Sequence, residues 1–262
     1  GQTRRMTTAV DPLALFRLDG RVALVTGASA GLGERMARVL HAVGATVVMT
    51  ARRADRLDAL ASELPGSIPI SADLADAADR ERLVAEALGR AGRLDVLVNN
   101  AGINYQVGIE HETLEQFERA IEINTTAVWH LTKLCVPDMV ERGSGSVVNV
   151  ASMLGHVGSA PIKQANYCAS KGAVVNMTRE LALQLSRNGV RVNALCPGYF
   201  PSEMTEPMMG DDGSDRYIRT YSGIPRMGEE HELDGALLLL ASDAGSYITG
   251  HSLLVDGGFT AR

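Results

Sequence analysis

The sequence predicts an α/β fold: one domain built on a doubly wound parallel sheet of seven strands, with helices on both faces. Three observations carry this reading. Short β-branched runs alternate with longer helical patterns, as right-handed βαβ units require. The runs are apolar nearly throughout, as strands covered on both faces must be. A glycine-rich turn joins the first run to the first helical pattern, the place where such sheets hold phosphate groups.

The elements follow in order. The strand runs are VALVT (22–26), ATVVMT (45–50), SIPI (67–70), LDVLV (94–98), SVVNV (146–150), VRVNAL (190–195) and SLLVD (252–256). Between them, helical patterns run from Gly33 to His41, Asp55 to Glu63, Asp76 to Arg90 and Asn166 to Arg187. No repeat, low-complexity tract or linker interrupts them. The one long irregular stretch is Gly198 to Gly228, with GDDGSD (210–215) and Met204, Met208 and Met209. Residues 1–18 read as an N-terminal extension and 19–262 as the domain, with a substrate loop at about 199–228.

Composition narrows the function. The chain has 262 residues, 45% hydrophobic and 21% charged, a globular balance that excludes disorder, collagen and coiled coil. Lys plus Arg is 25 against 31 Asp plus Glu, a net charge of -6. That balance argues against a nucleic-acid partner, because phosphate contact needs clustered cations. No run of about 18 apolar residues predicts a membrane span. The first residues lack the apolar core of a secretory signal, and the Arg4–Arg5 pair is too short to read as a transit peptide. Cys135, Cys168 and Cys196 are scattered and odd in number, so neither a disulfide framework nor metal-ligand spacing is expected. A reduced, cytoplasmic setting follows. Trp129 and the six histidines show no ligand pattern, so no metal is expected.

TGASAGLG places Gly27, Gly31 and Gly33 between a strand and a helix, with Ser29 and Leu32 among them. Glycines permit the tight turn and let a pyrophosphate approach the backbone, while the helix start offers N–H groups and the positive end of its dipole. Next, the second strand ends in Ala51, Arg52 and Arg53. An acidic residue there would bind a ribose 2′-hydroxyl; two guanidiniums are suited to a 2′-phosphate instead. The expected cofactor is therefore NADP(H), with NAD(H) possible. Ala30, where a basic side chain would have helped, is a counter-sign.

Tyr167 and Lys171 stand four residues apart on one helix and share a face. An ammonium about 4 Å from a phenol, at an effective dielectric near 20, is worth roughly 4 kcal/mol. That amounts to about three pKa units, enough to bring the phenol near neutrality. Ser152 ends the fifth strand, Asn99–Gly102 end the fourth, and Pro197–Gly198 follow the sixth. Asn124 lies among apolar helical residues, where an amide is costly unless bonded.

Taken together, TGASAGLG (26–33), Asp73, NNAG (99–102), Asn124, Ser152, YCASK (167–171), PG (197–198) and VDGG (255–258) resemble the short-chain dehydrogenase/reductase family over nearly the whole chain. KQANYCASKGAV and PGYFPSEMTEP are similar to gluconate 5-dehydrogenase-like members and, less closely, to 3-oxoacyl-carrier-protein reductases. The resemblance implies a Rossmann sheet of order 3-2-1-4-5-6-7 and a homotetramer, or a homodimer. It implies that Tyr167 is the acid–base, that Ser152 bonds the substrate oxygen, and that Lys171 lowers the Tyr167 pKa and binds the nicotinamide ribose. Asn124 would hold a water behind Lys171. Asp73, with Leu74, would meet the adenine; Asn100, Ala101 and Gly102 the adenosine ribose; Pro197 and Gly198 the nicotinamide. Ser152 and Tyr167 stand fifteen positions apart rather than the family's common thirteen, with the extra residues near Gly158–Gln164 reshaping the substrate wall.

His156 and Gln164 flank the expected substrate mouth and read as solvated loop residues; Cys168 reads as a small core filler. The leading expectation is a hydride-transferring oxidoreductase of EC class 1.1.1, acting on the carbonyl or secondary alcohol of a small sugar-acid-like or ketone substrate. The alternative substrate is a 3-oxoacyl thioester on an acyl carrier protein, for which no basic landing patch is evident. A silent nucleotide-binding protein is the other class, and the intact Asn124, Ser152, Tyr167 and Lys171 speak against it.

Overall fold

The computed structural model describes residues 11–261; Arg4, Arg5 and most of the expected N-terminal extension lie outside them. A short 3-10 turn (Pro12–Phe16) is followed by β1 (Val22–Thr26), α1 (Gly31–Ala42), β2 (Thr46–Ala51), α2 (Ala54–Glu63), β3 (Ile68–Ser71), α3 (Ala77–Ala91) and β4 (Val96–Asn99). Then come α4 (Leu114–Ile121), α5 (Ala127–Glu141), β5 (Gly145–Val150), α6 (Ala165–Leu185), β6 (Val190–Pro197), α7 (Asp212–Tyr221), α8 (Asp234–Ala241) and β7 (Ser252–Val255). Each strand falls within two residues of its sequence run.

The seven strands pair in the order β3-β2-β1-β4-β5-β6-β7, all parallel. Alternation along β1 explains the two-sided burial. Ala23 and Val25 pack with Met36, Leu40, Leu57 and Leu237 of α1, α2 and α8. Val22 and Leu24 face the other way, onto Leu83, Leu131 and Met139 of α3 and α5. Both faces of β1 are thus dry, so its VALVT run could carry no polar alternation. Leu18, within the expected extension, is fully buried in the first of these cores, and its N–H donates to Val43 O at 2.9 Å.

Order reverses between β1 and β4, and the C-terminal ends of those strands open a crevice where ligands of such sheets bind. A buried polar ladder steadies the neighbouring strands. Asn99 Nδ2 donates to Asn149 Oδ1 at 2.9 Å, and Asn149 Nδ2 to Thr178 Oγ1 at 2.9 Å. Between α4 and α5 the helix widens into a π turn at Glu122–Thr126, a local bulge that is often found at functional sites.

The segment expected to be irregular, Gly198–Gly228, is partly helical. It holds a 3-10 turn (Glu206–Met208) and α7. The polar GDDGSD run conceals a helix start: Asp211 is the N-cap, accepting from Ser214 N at 2.7 Å, with Asp212 and Asp215 in the first turn. Tyr217 and Ile218 of α7 and Met208 form a small core of their own, joined by Ile162, Tyr199, Met227 and Phe259. Ile162 enters it from the longer Gly158–Gln164 stretch.

Candidate active site

One cleft of about 390 Å³ lies at the crevice. Its walls bring together Gly27, Ser29, Gly31, Leu32, Gly33, Arg52, Arg53, Asp73, Leu74, Asn100, Ala101, Gly102, Ser152, Tyr167, Lys171, Pro197 and Gly198. Of the expected site residues only Asn124 stands outside the lining.

The glycine turn is built around backbone contact. Gly27 and Gly31 have φ of +67° and +55°, left-handed values that a side chain opposes. A Cβ at Gly33 would overlap Gly27 O and Asn100 Nδ2. α1 begins at Gly31 behind an Ala30 N-cap that makes no side-chain bond, so its first N–H groups are available to an anion. Thr26 ties this turn to the NNAG turn. Its Oγ1 accepts from Asn100 N at 2.9 Å and Ala101 N at 3.0 Å. The sequence reading missed Thr26; its hydroxyl at the end of an otherwise apolar strand was the available signal.

Asn124 is fully buried and faces Ile103. Its Oδ1 accepts from Ile103 N at 2.8 Å, and its Nδ2 donates to Ile103 O at 2.8 Å and Ser170 Oγ at 2.9 Å. The side chain therefore pins the segment after NNAG. Both its N–H bonds are used, which leaves only one Oδ1 lone pair for the expected water.

Ser152 follows β5 by two residues, caps the 3-10 turn Met153–Gly155 and accepts from Leu154 N at 3.1 Å. Lys171 is 3% exposed; its Nζ donates to Val150 O at 2.7 Å and lies 5.6 Å from the Tyr167 ring centre. Burial lowers Lys171 to about 8. For Tyr167 burial is again the largest influence and a hydrogen bond with Ser152 opposes it, leaving the phenol pushed up to about 12. The expected drop towards neutrality is thus corrected: burial of the phenol outweighs the influences that would lower it.

The other expectations are adjusted in the same way. Arg53 does not point freely into the cleft: it donates to Ser29 Oγ and is paired with Glu203 at 2.8 Å. Arg52 lines the cleft and has no ion pair or side-chain hydrogen bond among the described residues. Asp73 accepts from Ala75 N at 3.0 Å. Gln164 is not solvated but 5% exposed, accepting from Asn104 Nδ2. His156 lies 3.7 Å from the buried Cys196 Sγ, and neither it nor Gln164 lines the cleft. Cys168 is half-buried, 3.8 Å from Ser159 Oγ. All three cysteines are free. Among the described residues no group of three or more His, Cys, Asp or Glu could hold a metal ion. No helix there is long and apolar enough to cross a membrane.

A doubly wound sheet whose switch point gathers a glycine turn, a serine, a tyrosine and a lysine defines a dinucleotide-dependent oxidoreductase. Residues 27–260 match the family model described as enoyl-(acyl carrier protein) reductase. The chain is 36% identical over 253 residues to the gluconate 5-dehydrogenase of Gluconobacter oxydans, covering 94% of this chain and 97% of that one. It is 36% identical over 247 residues to a 3-oxoacyl-(acyl-carrier-protein) reductase of Thermotoga maritima, covering 93% and 99%. Among solved structures, a gluconate 5-dehydrogenase of Burkholderia cenocepacia in complex with NADP and tartrate superposes with a TM-score of 0.91 at 31% identity, covering 96% and 100%. The chain belongs to the short-chain dehydrogenase/reductase family and is an oxidoreductase acting on alcohol or keto groups.

Proposed function

We propose that this protein is an NADP(H)-dependent dehydrogenase/reductase that interconverts the carbonyl and secondary alcohol of a small polar substrate, of sugar-acid type or a simple ketone. The observation that carries the reading is the convergence of Ser152, Tyr167 and Lys171 on the cleft that the glycine turn floors. The cleft suits a dinucleotide: the uncapped α1 start can take a pyrophosphate, and Gly33 keeps clear the backbone that a Cβ would crowd. When bound, the nicotinamide supplies or takes the hydride.

In the reductive direction Tyr167 gives its proton to the substrate oxygen as that oxygen gains charge; in oxidation it takes the proton back. Ser152 donates to the same oxygen and steadies it. Lys171, held against Val150 O, contacts the nicotinamide ribose and lends positive charge behind the phenol. Asn124 positions this group by fixing Ile103 and Ser170. Asp73 and Leu74 meet the adenine; Asn100, Ala101 and Gly102 the adenosine ribose; Pro197 and Gly198 border the nicotinamide. Arg52 and Arg53 face the 2′-phosphate. The sugar-acid class is supported by the likeness to gluconate 5-dehydrogenases.

We also propose a cytoplasmic homotetramer whose ligands are small molecules and not nucleic acids or membranes. Exposed Leu114, Trp129 and Leu183 on α4, α5 and α6 (71%, 45% and 77% exposed) support an assembly buried along those helices. Sedimentation at micromolar concentration tests it, and a monomer refutes it.

The central test is a panel of sugar acids, ketones and 3-oxoacyl thioesters, followed by NADPH absorbance, for the wild type and Tyr167→Phe. Tyr167→Phe should bind NADPH within about twofold of wild type and turn over roughly 10²–10⁴-fold more slowly. Equal turnover would remove Tyr167 from its role.

A further inference from the structure

The cleft contains a carboxylate to which the sequence reading gave no role, Glu203 of the PGYFPSEMTEP stretch. Glu203 Oε1 lies 2.8 Å from Arg53 Nη1 and 2.9 Å from Arg56 Nη1, and its Oε2 lies 3.1 Å from Arg53 Nη2. Along its other edge Arg53 donates from Nε and Nη2 to Ser29 Oγ, at 3.2 and 3.0 Å. Ser29, Arg53 and Glu203 all line the cleft. We propose that Glu203 is a specificity-determining residue, which competes with a nucleotide 2′-phosphate for Arg53 and so sets the ratio of NADP(H) to NAD(H) affinity. The proposal rests on the NADP(H) reading above and names the residue that limits it.

The donor count supports the competition. A guanidinium has five N–H groups. Arg53 commits four bonds, two to Ser29 Oγ and two to Glu203. A phosphate also seeks two parallel N–H bonds to two charged oxygens, and no free pair remains for it. To engage Arg53 it must displace Glu203, whose like charge opposes its approach. A nucleotide with a plain 2′-hydroxyl meets the opposite situation, because a hydroxyl can donate to the carboxylate.

Position supports it as well. Glu203 belongs to the segment that follows Pro197–Gly198, and the neighbouring Ser202 Cβ lies 3.5 Å from where a Cβ of Gly31 would stand. The Glu203–Arg53 pair therefore ties this segment across the glycine turn to the end of β2. Arg53 is the main cause holding the Glu203 carboxyl below its usual range, so it stays ionised at neutral pH. Side-chain exposures of 40% and 56% make the pair exchangeable, since an exposed pair shifts an equilibrium constant by about fivefold at most.

The test measures Kd for NADPH and NADH, by nicotinamide fluorescence at one ionic strength, for wild type, Glu203→Gln, Arg53→Ala and the double variant. Glu203→Gln should tighten NADPH by about fivefold and leave NADH unchanged or weaker. Arg53→Ala should weaken NADPH, and in the double variant the gain from Glu203→Gln should vanish. If Arg53→Ala weakens NADPH while Glu203→Gln leaves the NADPH-to-NADH ratio within twofold, the competition is refuted and the NADP(H) reading stands. If wild type binds both nucleotides equally and Arg53→Ala alters neither, the NADP(H) reading falls and the competition with it.

Discussion

Asn100 grips Thr26 twice across the switch point: Asn100 N donates to Thr26 Oγ1 at 2.9 Å, and Asn100 Nδ2 donates to Thr26 O at 2.9 Å. The hydroxyl also receives Ala101 N at 3.0 Å. Thr26→Val keeps the shape and removes the acceptor, so Ala101 N loses its partner while Asn100 N keeps Val98 O at 3.1 Å. An unpaired buried donor costs about 1–3 kcal/mol. Thr26→Val should lower stability by about 1–3 kcal/mol in urea unfolding and weaken nucleotide binding by loosening the NNAG turn. A midpoint equal to wild type would show that these bonds carry no net stability.

Gly33 meets a second constraint at the same junction. Its Cβ position is filled by Gly27 O and Asn100 Nδ2, backbone and a side chain that is itself bonded to Thr26 O. Gly33→Ala would profit from helix propensity but must push the two turns apart. Overpacking of this kind costs about 1–3 kcal/mol, against about 1 kcal/mol of propensity gained. Nucleotide affinity should fall more than tenfold while circular dichroism stays native. Wild-type affinity in Gly33→Ala would show that the junction can relax.

Lys171 makes a prediction about stability and pH. Burial lowers it from 10.5 to about 8, so between those values the unfolded chain binds the proton that the folded protein has released. Stability should therefore rise with pH across that window. The full cost, about 3 kcal/mol, is present below pH 8. Lys171→Met removes the buried charge but leaves Val150 O without its donor, a loss of about 1 kcal/mol. The variant should be more stable than wild type at pH 7 by about 2 kcal/mol, or roughly 4–8 °C in melting temperature. The gain should shrink and reverse by pH 10.5. Because burial also lifts Tyr167 to about 12, wild-type stability should fall again above pH 10. Lower stability of Lys171→Met at pH 7 would mean that the ammonium is better solvated than its burial implies.

Most of the fold was legible because its signals are local. Apolar runs such as VALVT and SVVNV need cover on both faces, and glycine turns have few alternatives, so the doubly wound parallel sheet and its phosphate turn followed, while the strand order came with the family resemblance. The cleft lining was legible for the same reason: Gly31, Asn100, Ser152 and Pro197 all lie at strand ends or in the turns just beyond them. What stayed hidden depends on partners distant in sequence. Glu203 reaches Arg53 across 150 positions, and no spacing rule foretells that. α7 was hidden because its cap and first turn are polar, like a loop. The acidity of Tyr167 was misjudged because the four-residue spacing fixes a shared face and not a distance, and says nothing of desolvation.

The two guanidiniums that follow β2 differ in their partners. Arg52 lines the cleft and is the free one among the described residues, whereas Arg53 is held by Ser29 and Glu203. An incoming 2′-phosphate therefore finds Arg52 ready and Arg53 contested. A hydrogen bond to a charged group is worth about 1.5–3 kcal/mol, and Arg52→Asp replaces attraction by repulsion. NADPH affinity should fall by about 10–100-fold relative to NADH, and raising the salt concentration should narrow the difference, since exposed charges are screened. The readout is the ratio of the two dissociation constants at low and physiological ionic strength. An unchanged ratio would move the phosphate contact wholly onto Arg53. A ratio altered equally at both salt concentrations would mean that Arg52 acts by shaping the turn rather than by its charge.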